Sequence, residues 1–530
     1  MTRSLYVLLG VLGFAGCASA QVPPAAGSGA AQRPSLVVLI TIDGFREDYL
    51  TRFGDQMTGG LARLTRGGAW FTNAHQDHAI TETAPGHASL LSGRFPRSTG
   101  ISANRVGVVD AASPLLGFSG LVGASPNRFQ GTALFDWMHA ADARARALSV
   151  SMKDRGAILP IGRSKQQVYW YPGDGEFTTS KYYADTLPAW VVKFNARRLA
   201  ESYAGKAWTP LLPASAYTEL DSVSIEGGGT DFVFPHPIPA DSVQAASWIR
   251  GTPFMDEITV ALALDGVSAL NLGAGPHTDL LAVSLSATDL VSHRLGPASK
   301  EAHDQALRDD RVIGFFLDSL FKMRDSTRVV VVLSADHGFA PIPELAPANA
   351  NPHPTRASLA PALTAARALM RSLKVDTAAI EVDQQIVLID HAAFAKARVD
   401  PERVIEAFRS AAKSLPGIAR VDNLKDLVKG DTAHDPIARR WAHQFPANTN
   451  VELVATLTPG SLWGSFLVAS HGSPYDYDSN VPIVFYGPGF TRGKYTDFVR
   501  TVDIAPTLAQ RLGIKPLEKL DGVPLARALK

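Results

Sequence analysis

Four separate stretches of this chain carry side chains that can bind metal ions. They supply only carboxylate and imidazole groups, at Asp43, Asp289, His293, Asp336, His337 and His471. Imidazole combined with carboxylate suits Zn²⁺, whereas a set of oxygen ligands alone suits Mg²⁺ or Ca²⁺. Because the set contains no thiolate, we predict two adjacent zinc sites of the catalytic kind, which keep an open coordination position.

This prediction rests on a pattern that recurs along the chain, an apolar run followed by a carboxylate. An aspartate after a strand most often caps the following helix, and a single histidine is most often a surface or core residue with a structural role. Here, three apolar runs are each followed by a carboxylate, at Asp43, Asp289 and Asp336. Asp289 and His293 are four residues apart, so one helical turn would place both on the same face. Two metal ions around one hydroxyl nucleophile would suit metal-assisted phosphoryl transfer.

A hydroxyl nucleophile is available at Thr83, where the sequence Thr-Ala-Pro-Gly-His opens a predicted helix. Proline is tolerated in the first helical turn, and the free N–H groups and dipole of a helix start favour an anionic oxygen. Away from a metal, Thr83 would be interpreted as a helix cap only. Thr81 is the alternative nucleophile. The small Ala-Pro-Gly step after Thr83 leaves room for a phosphoryl group, which favours Thr83.

Two basic residues follow the predicted strand at 147–152. Lys153 offers a compact cation and Arg155 a planar pair of donors, which together suit the dianion of a phosphate monoester. A solvated loop is the alternative interpretation of Lys-Asp-Arg. The position of the triplet directly after a strand favours a phosphate clamp.

Apolar runs alternate with amphipathic stretches along the chain. Predicted strands cover residues 35–42, 147–152, 280–285, 329–333 and 481–486, and predicted helices include 84–92, 132–143, 301–324 and 502–512. Continuous apolar runs are typical of parallel strands that are covered on both faces. The sequence therefore predicts an α/β fold with a doubly wound, mostly parallel central sheet between helices. Ligands of such sheets bind at the carboxyl ends of the strands.

Two segments interrupt this alternation. Residues 156–250 are rich in Trp, Tyr, Pro and Gly and are predicted to form a cap over the edge of the sheet. Residues 374–456 are predicted to form a small α+β insertion. We therefore predict one catalytic domain over residues 34–530 with two insertions.

The 530 residues carry a formal net charge of +1, which gives no reason to expect a nucleic-acid partner. Residues 1–20 have the features of a signal peptide, with an apolar run at 5–14 that is too short to span a bilayer and an Ala-Ser-Ala cleavage site. Residues 21–33 are predicted to be a flexible leader. We expect an exported protein, periplasmic or secreted, without a transmembrane segment. Cys17, the only cysteine, is the alternative processing site, for lipid attachment.

The motifs, taken together and in this order, resemble the alkaline phosphatase superfamily. They are Asp43-Gly, Thr83-Ala-Pro-Gly-His, Asp289 with His293, Asp336-His337-Gly and His471-Gly-Ser-Pro-Tyr. The chain is most similar to exported bacterial alkaline phosphatases that use a threonine nucleophile, from about residue 35 to the C-terminal Thr-Val-Asp-Ile-Ala-Pro-Thr-Leu segment. The combined order of the motifs is more specific than any one of them.

The resemblance implies a division of labour among these residues. Asp43, Thr83, Asp336 and His337 would hold one Zn²⁺, and Asp289, His293 and His471 the other. Asn104 matches a ligand of the phosphate oxygens, and Lys153 and Arg155 match the phosphate clamp. The implied activity is zinc-dependent hydrolysis of phosphate monoesters through a phosphothreonine on Thr83.

Three other enzyme activities and one binding function are the alternatives. A phosphodiesterase or nucleotide pyrophosphatase would share the core, but Lys153 with Arg155 favours monoesters. A sulfatase needs a Cys or Ser nucleophile in a different motif. A cofactor-independent phosphoglycerate mutase would have a serine nucleophile and no export signal. An exported metal- or phosphate-binding protein without catalysis would keep the ligands but need no nucleophile. The expected partners are small phosphate monoesters, and the protein is expected to be a monomer.

Overall fold

The computed structural model describes Met1, residues 33–464 and residues 467–530. The predicted signal peptide, Cys17 and nearly all of the predicted leader therefore lie outside the described residues. In the part of the chain that is described, no helix is both long and apolar enough to cross a membrane.

Eight strands form the central sheet, and the most apolar ones occupy its middle. Leu36–Ile42 is buried along its whole length and pairs in parallel with Asp279–Leu285 on one side and Val329–Ser334 on the other. Seven strands run in one direction and Ile483–Tyr486 runs against them. The predicted mostly parallel sheet is confirmed. From edge to edge its order is Gly493–Tyr495, Ala69–Phe71, Ile483–Tyr486, Val329–Ser334, Leu36–Ile42, Asp279–Leu285, Ala147–Ser151 and Gln167–Trp170.

Helices cover both faces of this sheet, because alternate residues of each strand enter different cores. Val38 and Ile40 belong to one apolar core, and Val37 and Leu39 to the other. On the first face pack Gly60–Gly67, Pro253–Ala269 and Lys300–Met323, and on the second Thr83–Ser92, Leu134–Ala141 and Ile504–Leu512. This arrangement makes the sheet doubly wound.

The register of the central strands brings their carboxyl ends to one edge. Ile42 pairs with Leu285, and Thr41 pairs with Ser334. The residues that follow these three strands therefore emerge side by side. Ser151 pairs with Ser284, so the segment after Ala147–Ser151 emerges at the same edge.

The segment predicted as a cap contributes to the sheet itself. Gln167–Trp170, within residues 156–250, pairs in parallel with Ala147–Ser151 and forms the edge strand. The rest of the segment contains short helices, among them Ala189–Asn195 and Ser242–Trp248. Its aromatic side chains, such as Tyr171 and Phe194, join the core on one face of the sheet.

A second, four-stranded antiparallel sheet lies within the predicted α+β insertion. Its order is Ile380–Asp383, Ile386–Ile389, Val451–Leu457 and Ile418–Asn423. Helices Ala360–Ser372 and Glu402–Lys413 pack in the same apolar core. The first of these helices precedes residue 374, so this unit begins earlier in the chain than we predicted. We call residues 360–457 the insertion below.

Candidate active site

The structure brings the predicted metal ligands together at the carboxyl edge of the central sheet. Asp43 follows Leu36–Ile42, and Asp336 and His337 follow Val329–Ser334. Asp289 and His293 lie one turn apart on helix Ala287–Leu295, and His293 Nε2 is 3.3 Å from Asp289 Oδ1. All three aspartates and His337 are fully or almost fully buried.

Imidazole nitrogens of this cluster face carboxylate oxygens at distances too long for strong hydrogen bonds. His337 Nε2 is 3.4 Å from Asp43 Oδ1 and 3.6 Å from Asp336 Oδ2. His471 Nε2 is 3.4 Å from Asp289 Oδ1. The rings of His337 and His471 stack with their centroids 3.6 Å apart. The donor atoms thus surround a common space and do not pair closely with one another.

The second nitrogen of each imidazole is held by the backbone. Nδ1 of His293, His337 and His471 lies 2.7–2.9 Å from the carbonyl oxygens of Ala469, Gly338 and Thr81, respectively. A carbonyl oxygen only accepts, so Nδ1 of each ring carries a proton and Nε2 is turned toward the cluster. This is the usual arrangement behind a metal-ligating histidine.

Buried atoms without hydrogen-bond partners fit a metal centre. Asp43 Oδ1, Asp289 Oδ1 and His337 Nε2 are inaccessible to solvent and make no hydrogen bond. Two groups of ligand atoms each lie within 4.8 Å of one another: Asp43, Asp289 and His337, and Asp289, His293 and His471. Asp289 belongs to both groups, whereas the resemblance implied that it serves one site. Oxygen and nitrogen donors without thiolate suit zinc or a similar divalent ion.

The charges of the cluster act on its own pKa values. Burial lowers the pKa of His337, but the carboxylates of Asp336 and Asp43 raise it more. The net effect raises the pKa of His337 to about 9. Burial and the neighbouring His337 lower the pKa of His471 to about 3. The negative field that holds a proton on His337 would equally attract a divalent cation.

Lys153 lies inside the cluster. Its Nζ is 2.7 Å from Asp43 Oδ2, 2.6 Å from Asp289 Oδ2 and 3.5 Å from Thr83 Oγ1. Burial opposes the charged form, but Asp289 and Asp43 outweigh it and raise the pKa of Lys153. The lysine therefore stays protonated and neutralises part of the carboxylate charge.

Thr83 begins helix Thr83–Ser92 and is fully buried. The helix approaches Asp336 closely because residue 86 is glycine: a Cβ there would lie 2.1 Å from the Asp336 carbonyl oxygen. Thr81 is placed differently, since its hydroxyl donates to Ser473 O at 3.0 Å and its own carbonyl holds His471. The structure thus gives Thr81 a supporting position.

Asn104 is held near Thr83 by two hydrogen bonds. The Ala84 N–H donates to Asn104 Oδ1 at 2.8 Å, and the Asn104 N–H donates to Glu82 Oε2 at 2.6 Å. Glu82 therefore helps to position Asn104.

Arg155 is not drawn into the cluster. Its guanidinium lies 3.5 Å from Asp154 Oδ1. Within residues 33–464 and 467–530, no hydrogen bond or ion pair joins it to Thr83, Asn104 or Lys153. Its charge still lowers the pKa of Glu82, although burial raises that pKa overall.

His87, in the Thr83-Ala-Pro-Gly-His motif, has a supporting position. His87 Nδ1 lies 3.1 Å from Asp336 Oδ2 and 3.0 Å from Thr83 O, and Nε2 lies 2.9 Å from Ser284 Oγ. It therefore braces the helix that begins at Thr83 against Asp336. The spacing of four residues from Thr83 on one helix face was the available signal.

Residues 37–444 match the Type I phosphodiesterase / nucleotide pyrophosphatase family. The chain belongs to this family, and the resemblance to the alkaline phosphatase superfamily is confirmed.

Two alkaline phosphatases are similar to this chain over nearly its whole length. Alkaline phosphatase PafA of Elizabethkingia meningoseptica is 29% identical, over 98% of this chain and 98% of its own length. Alkaline phosphatase PhoK of a Sphingomonas species is 32% identical, over 93% of this chain and 91% of its own. The crystal structure of wild-type PafA superimposes with a TM-score of 0.85 at 28% identity, covering 94% of this chain and 99% of that one.

A solved variant of PafA has four residues substituted: a threonine, an asparagine, a lysine and an arginine. It superimposes with a TM-score of 0.86 at 27% identity, covering 94% of this chain and 99% of that one. Its threonine and asparagine are as far apart in sequence as Thr83 and Asn104. Its lysine and arginine flank a single residue, as Lys153 and Arg155 do.

Proposed function

We propose that this chain is a zinc-dependent alkaline phosphatase that hydrolyses phosphate monoesters to an alcohol and inorganic phosphate. One observation carries the proposal: the Thr83 hydroxyl, the Lys153 ammonium and two groups of metal-ligand atoms meet in one buried cluster. The relatives named alkaline phosphatases, which span nearly the whole chain, support it.

Thr83 is the proposed nucleophile. Its Oγ forms a bond to phosphorus as the bond between phosphorus and the leaving oxygen breaks, which gives a phosphothreonine and frees the alcohol. The oxygen of a water molecule then bonds to phosphorus as the bond from phosphorus to Thr83 Oγ breaks, which releases phosphate, and a proton of that water restores the Thr83 hydroxyl. The start of a helix suits this position because its dipole favours negative charge on the attacking oxygen.

Two Zn²⁺ ions would be held as the resemblance implies, one by Asp43, Asp336, His337 and Thr83 and the other by Asp289, His293 and His471. When bound, the ions would lower the pKa of the attacking hydroxyl and take up charge on the leaving oxygen. The chain contributes the orientation of the ligands. Backbone carbonyls fix the three imidazoles, and His87 fixes Asp336.

Asn104, Lys153 and Arg155 are the proposed ligands of the phosphate oxygens. Asn104 Oδ1 is occupied by the Ala84 N–H, and among the described residues nothing accepts from its Nδ2, which leaves that donor for substrate. Lys153 Nζ is already within 3.5 Å of Thr83 Oγ1. Arg155 would have to turn from Asp154 toward the substrate. The PafA variant replaces a threonine, an asparagine, a lysine and an arginine, and its threonine–asparagine and lysine–arginine spacings equal those of Thr83 with Asn104 and of Lys153 with Arg155.

A phosphodiesterase is the second candidate, because the matching family includes such enzymes. A diester has one negative charge on its phosphate and must seat a second ester group beside the nucleophile. The Lys153 and Arg155 cations near Thr83 would stabilise the dianion of a monoester more strongly than the single charge of a diester. We therefore place monoesters first.

The test is hydrolysis of p-nitrophenyl phosphate compared with bis-p-nitrophenyl phosphate, with added zinc and after chelation. We expect a strong preference for the monoester that is lost on chelation and restored by zinc. A preference for the diester would assign the chain to the phosphodiesterase branch. No turnover of either substrate, together with normal zinc and phosphate binding, would indicate a binding protein.

We also propose export through residues 1–20 and a monomeric state. Determining the N-terminus of the mature protein would test the first, and light scattering on the purified protein the second. A mature N-terminus at Cys17 would instead indicate a lipid anchor.

A further inference from the structure

A cavity of about 510 Å³ lies where the insertion meets the segment around Asn104. Ile386 and Leu388 line it from the insertion, and Ser102 and Arg105 line it from the segment on either side of Asn104. Neither the proposed nucleophile nor any of the proposed metal ligands forms part of its wall. It is therefore a space distinct from the ligand cluster but adjacent to a segment that serves the active site.

The floor of the cavity is apolar. Ile80, Ile386 and Val451 are buried in one small apolar core, and the partly buried Leu388 and Phe445 pack against that core. All five side chains line the cavity. A hydrocarbon chain placed on this floor would remove further apolar surface from water, which favours binding.

The opposite wall of the cavity carries positive charge. Arg105, Arg128 and Arg163 line it, and none of the described lining residues is an acid. Arg105 forms an ion pair with Asp383. Arg128 and Arg163 are exposed, and no carboxylate in the described part of the chain forms an ion pair with either; Arg128 Nη1 donates to the Val109 carbonyl at 2.6 Å. Two guanidinium groups thus remain able to bind an anion, and their planar geometry suits a carboxylate.

The cavity touches both of the segments that Gln444 joins. Gln444 bonds the Ile80 N–H and the Ser102 carbonyl, each at 2.7 Å, and Ile80 and Ser102 both line the cavity. Ile80 lies three residues before Thr83, and Ser102 lies two residues before Asn104. A ligand in the cavity would therefore contact the segments that lead to the proposed nucleophile and to the proposed phosphate ligand. A negative charge on that ligand would oppose the binding of a phosphate dianion nearby.

We propose that this cavity is an accessory site for amphipathic carboxylates and that its occupation weakens the binding of phosphate at the active site. The aliphatic chain lies on the apolar floor, and the carboxylate is bound by Arg128 and Arg163. At ~30 Å³ for each water-sized group, the volume of about 510 Å³ holds about 17 such groups, which is enough for octanoate. This inference goes beyond the proposed phosphatase function, because it adds a second ligand and a separate site.

Calorimetric titration of the zinc-loaded protein tests the site with three probes: octanoate, acetate and octylamine. Acetate has the same carboxylate without the chain, and octylamine has the same chain with the opposite charge. We expect octanoate to bind at least about 10-fold more tightly than either of them. Equal affinities for the three probes would overturn the site.

Two matched double variants locate the bound carboxylate. Arg128→Gln with Arg163→Gln should weaken octanoate binding by at least about 10-fold, because charge-assisted hydrogen bonds are lost. Arg371→Gln with Lys396→Gln removes two exposed positive charges of the insertion outside the cavity and should leave the affinity unchanged. Leu388→Asp places a carboxylate on the floor and should also weaken binding. Unchanged octanoate binding in the Arg128 and Arg163 double variant would overturn the proposal.

Inhibition kinetics distinguish the accessory site from the active site. Octanoate should raise KM for p-nitrophenyl phosphate by about 5-fold and then no further, because both ligands can be bound at once. A rise in KM without a limit would place octanoate at the active site and overturn the accessory site. An unchanged KM at saturating octanoate would overturn the coupling to phosphate binding.

The binding experiment does not depend on turnover. Absence of phosphate release from p-nitrophenyl phosphate would overturn the phosphatase function, while the comparison of octanoate with acetate and octylamine would still decide whether the accessory site exists.

Discussion

Thr83 and Thr81 lie two residues apart in the chain but have different surroundings. The Thr83 hydroxyl faces Lys153 and the ligand cluster, whereas the Thr81 hydroxyl is committed to the Ser473 carbonyl. This contrast makes the choice of nucleophile testable at the scale of single residues.

We predict that Thr83→Val lowers kcat/KM for p-nitrophenyl phosphate by at least about 10³-fold, because no oxygen remains to attack phosphorus. Thr83→Ser keeps the hydroxyl and should retain a measurable part of the activity. Thr81→Val is the matched control and should cost less than about 10-fold. Steady-state kinetics in zinc would measure all three, with bound zinc assayed in parallel. A larger loss in Thr81→Val than in Thr83→Val would reverse the assignment.

The second prediction at the scale of single residues concerns the Lys153 ammonium and its effect on the choice between monoesters and diesters. Lys153→Ala removes a charge-assisted hydrogen bond to the phosphate, so we expect kcat/KM for monoesters to fall by about 10- to 100-fold. Hydrolysis of bis-p-nitrophenyl phosphate should fall less, since a diester has fewer charges to stabilise. The measurement is the monoester-to-diester ratio in zinc. An unchanged ratio would mean that Lys153 does not discriminate between the two ester types.

At the scale of elements, the insertion holds the segments around Thr83 and Asn104 in place. Gln444 is fully buried, accepts from the Ile80 N–H at 2.7 Å and donates to the Ser102 carbonyl at 2.7 Å. It thereby links the segment that leads to Thr83 with the segment that leads to Asn104. Nearby, the buried Asp77 carboxylate lies 3.1 Å from Arg439 Nε, which adds an ion pair between the insertion and the same segment.

We predict that Gln444→Leu lowers kcat more than it raises KM, because Thr83 and Asn104 lose their fixed relative position. It should also lower the free energy of unfolding by at least about 2 kcal/mol, since the buried Ile80 N–H and the part-buried Ser102 carbonyl lose their partners. Urea unfolding and kinetics well below the melting temperature would measure both effects. Gln510→Leu, at an exposed position, is the control. Full activity in Gln444→Leu would show that the link is structural only.

The helix that carries Asp289 and His293 begins at a buried acid pair. Asp256 Oδ1 accepts from the Ser286 and Ala287 N–H groups at 2.9 and 3.2 Å, and Asp309 Oδ2 accepts from the Thr288 hydroxyl at 2.7 Å. Gln305 donates to both acids. Burial and then mutual repulsion raise the pKa of Asp256 well above its ordinary value, and burial raises that of Asp309 to about 7. The pair therefore keeps a proton where exposed aspartates have lost theirs.

A pH dependence follows from this raised pKa. Between pH 3.8, the ordinary value, and about 7, the unfolded chain releases the Asp309 proton while the folded protein keeps it. The stability that Asp309 contributes is thus fully present below pH 3.8 and is lost as pH rises to about 7. We predict that the free energy of unfolding of the wild type, relative to Asp309→Asn, falls over this window by up to about 1.4 kcal/mol per pH unit and is constant above it.

The measurement is urea unfolding of both proteins at several pH values, with Asp318→Asn as an exposed control on the same helix. A difference that does not change with pH would show that Asp309 is ionised in the folded protein.

At the scale of the whole molecule, metal binding and stability should be coupled. Three buried aspartates and three histidines meet at the edge of the central sheet. A cation bound only by the folded state stabilises it by about 3–4 kcal/mol at 100- to 1,000-fold excess over Kd. We predict that chelation lowers the melting temperature by at least about 5 °C while circular dichroism at 25 °C still shows a folded protein. Loss of that folded signal on chelation would show that the fold depends on metal.

The sequence predicted the parts of this molecule that depend on local pattern. The run at 35–42 is apolar throughout, so its burial in a parallel sheet could be inferred. Because ligands of such sheets bind at the carboxyl ends of the strands, the carboxylates that follow these runs could be assigned to a site. An apolar run carries no direction, so the antiparallel orientation of Ile483–Tyr486 could not be inferred. Gln167–Trp170 is short and aromatic, which resembles a cap more than an edge strand.

Contacts between segments that are distant in the chain could not be predicted from the sequence. Nothing near Gln444 indicates that it bonds to Ile80 and Ser102, because such a bond depends on where the insertion folds back. The ion pairs of Lys153 with Asp43 and Asp289 also arise only when three strand ends meet, and they place the lysine deeper than a phosphate clamp requires.

We expect the deep position of Lys153 to make zinc and phosphate cooperative ligands. The ammonium that pairs with the Asp43 and Asp289 carboxylates would become available to phosphate beside Thr83 once cations neutralise those carboxylates. Phosphate should therefore bind weakly to the metal-free protein and more tightly as zinc is added. By thermodynamic linkage, phosphate must then tighten zinc binding by the same factor. A protein of this design retains its metal best while substrate or product is abundant.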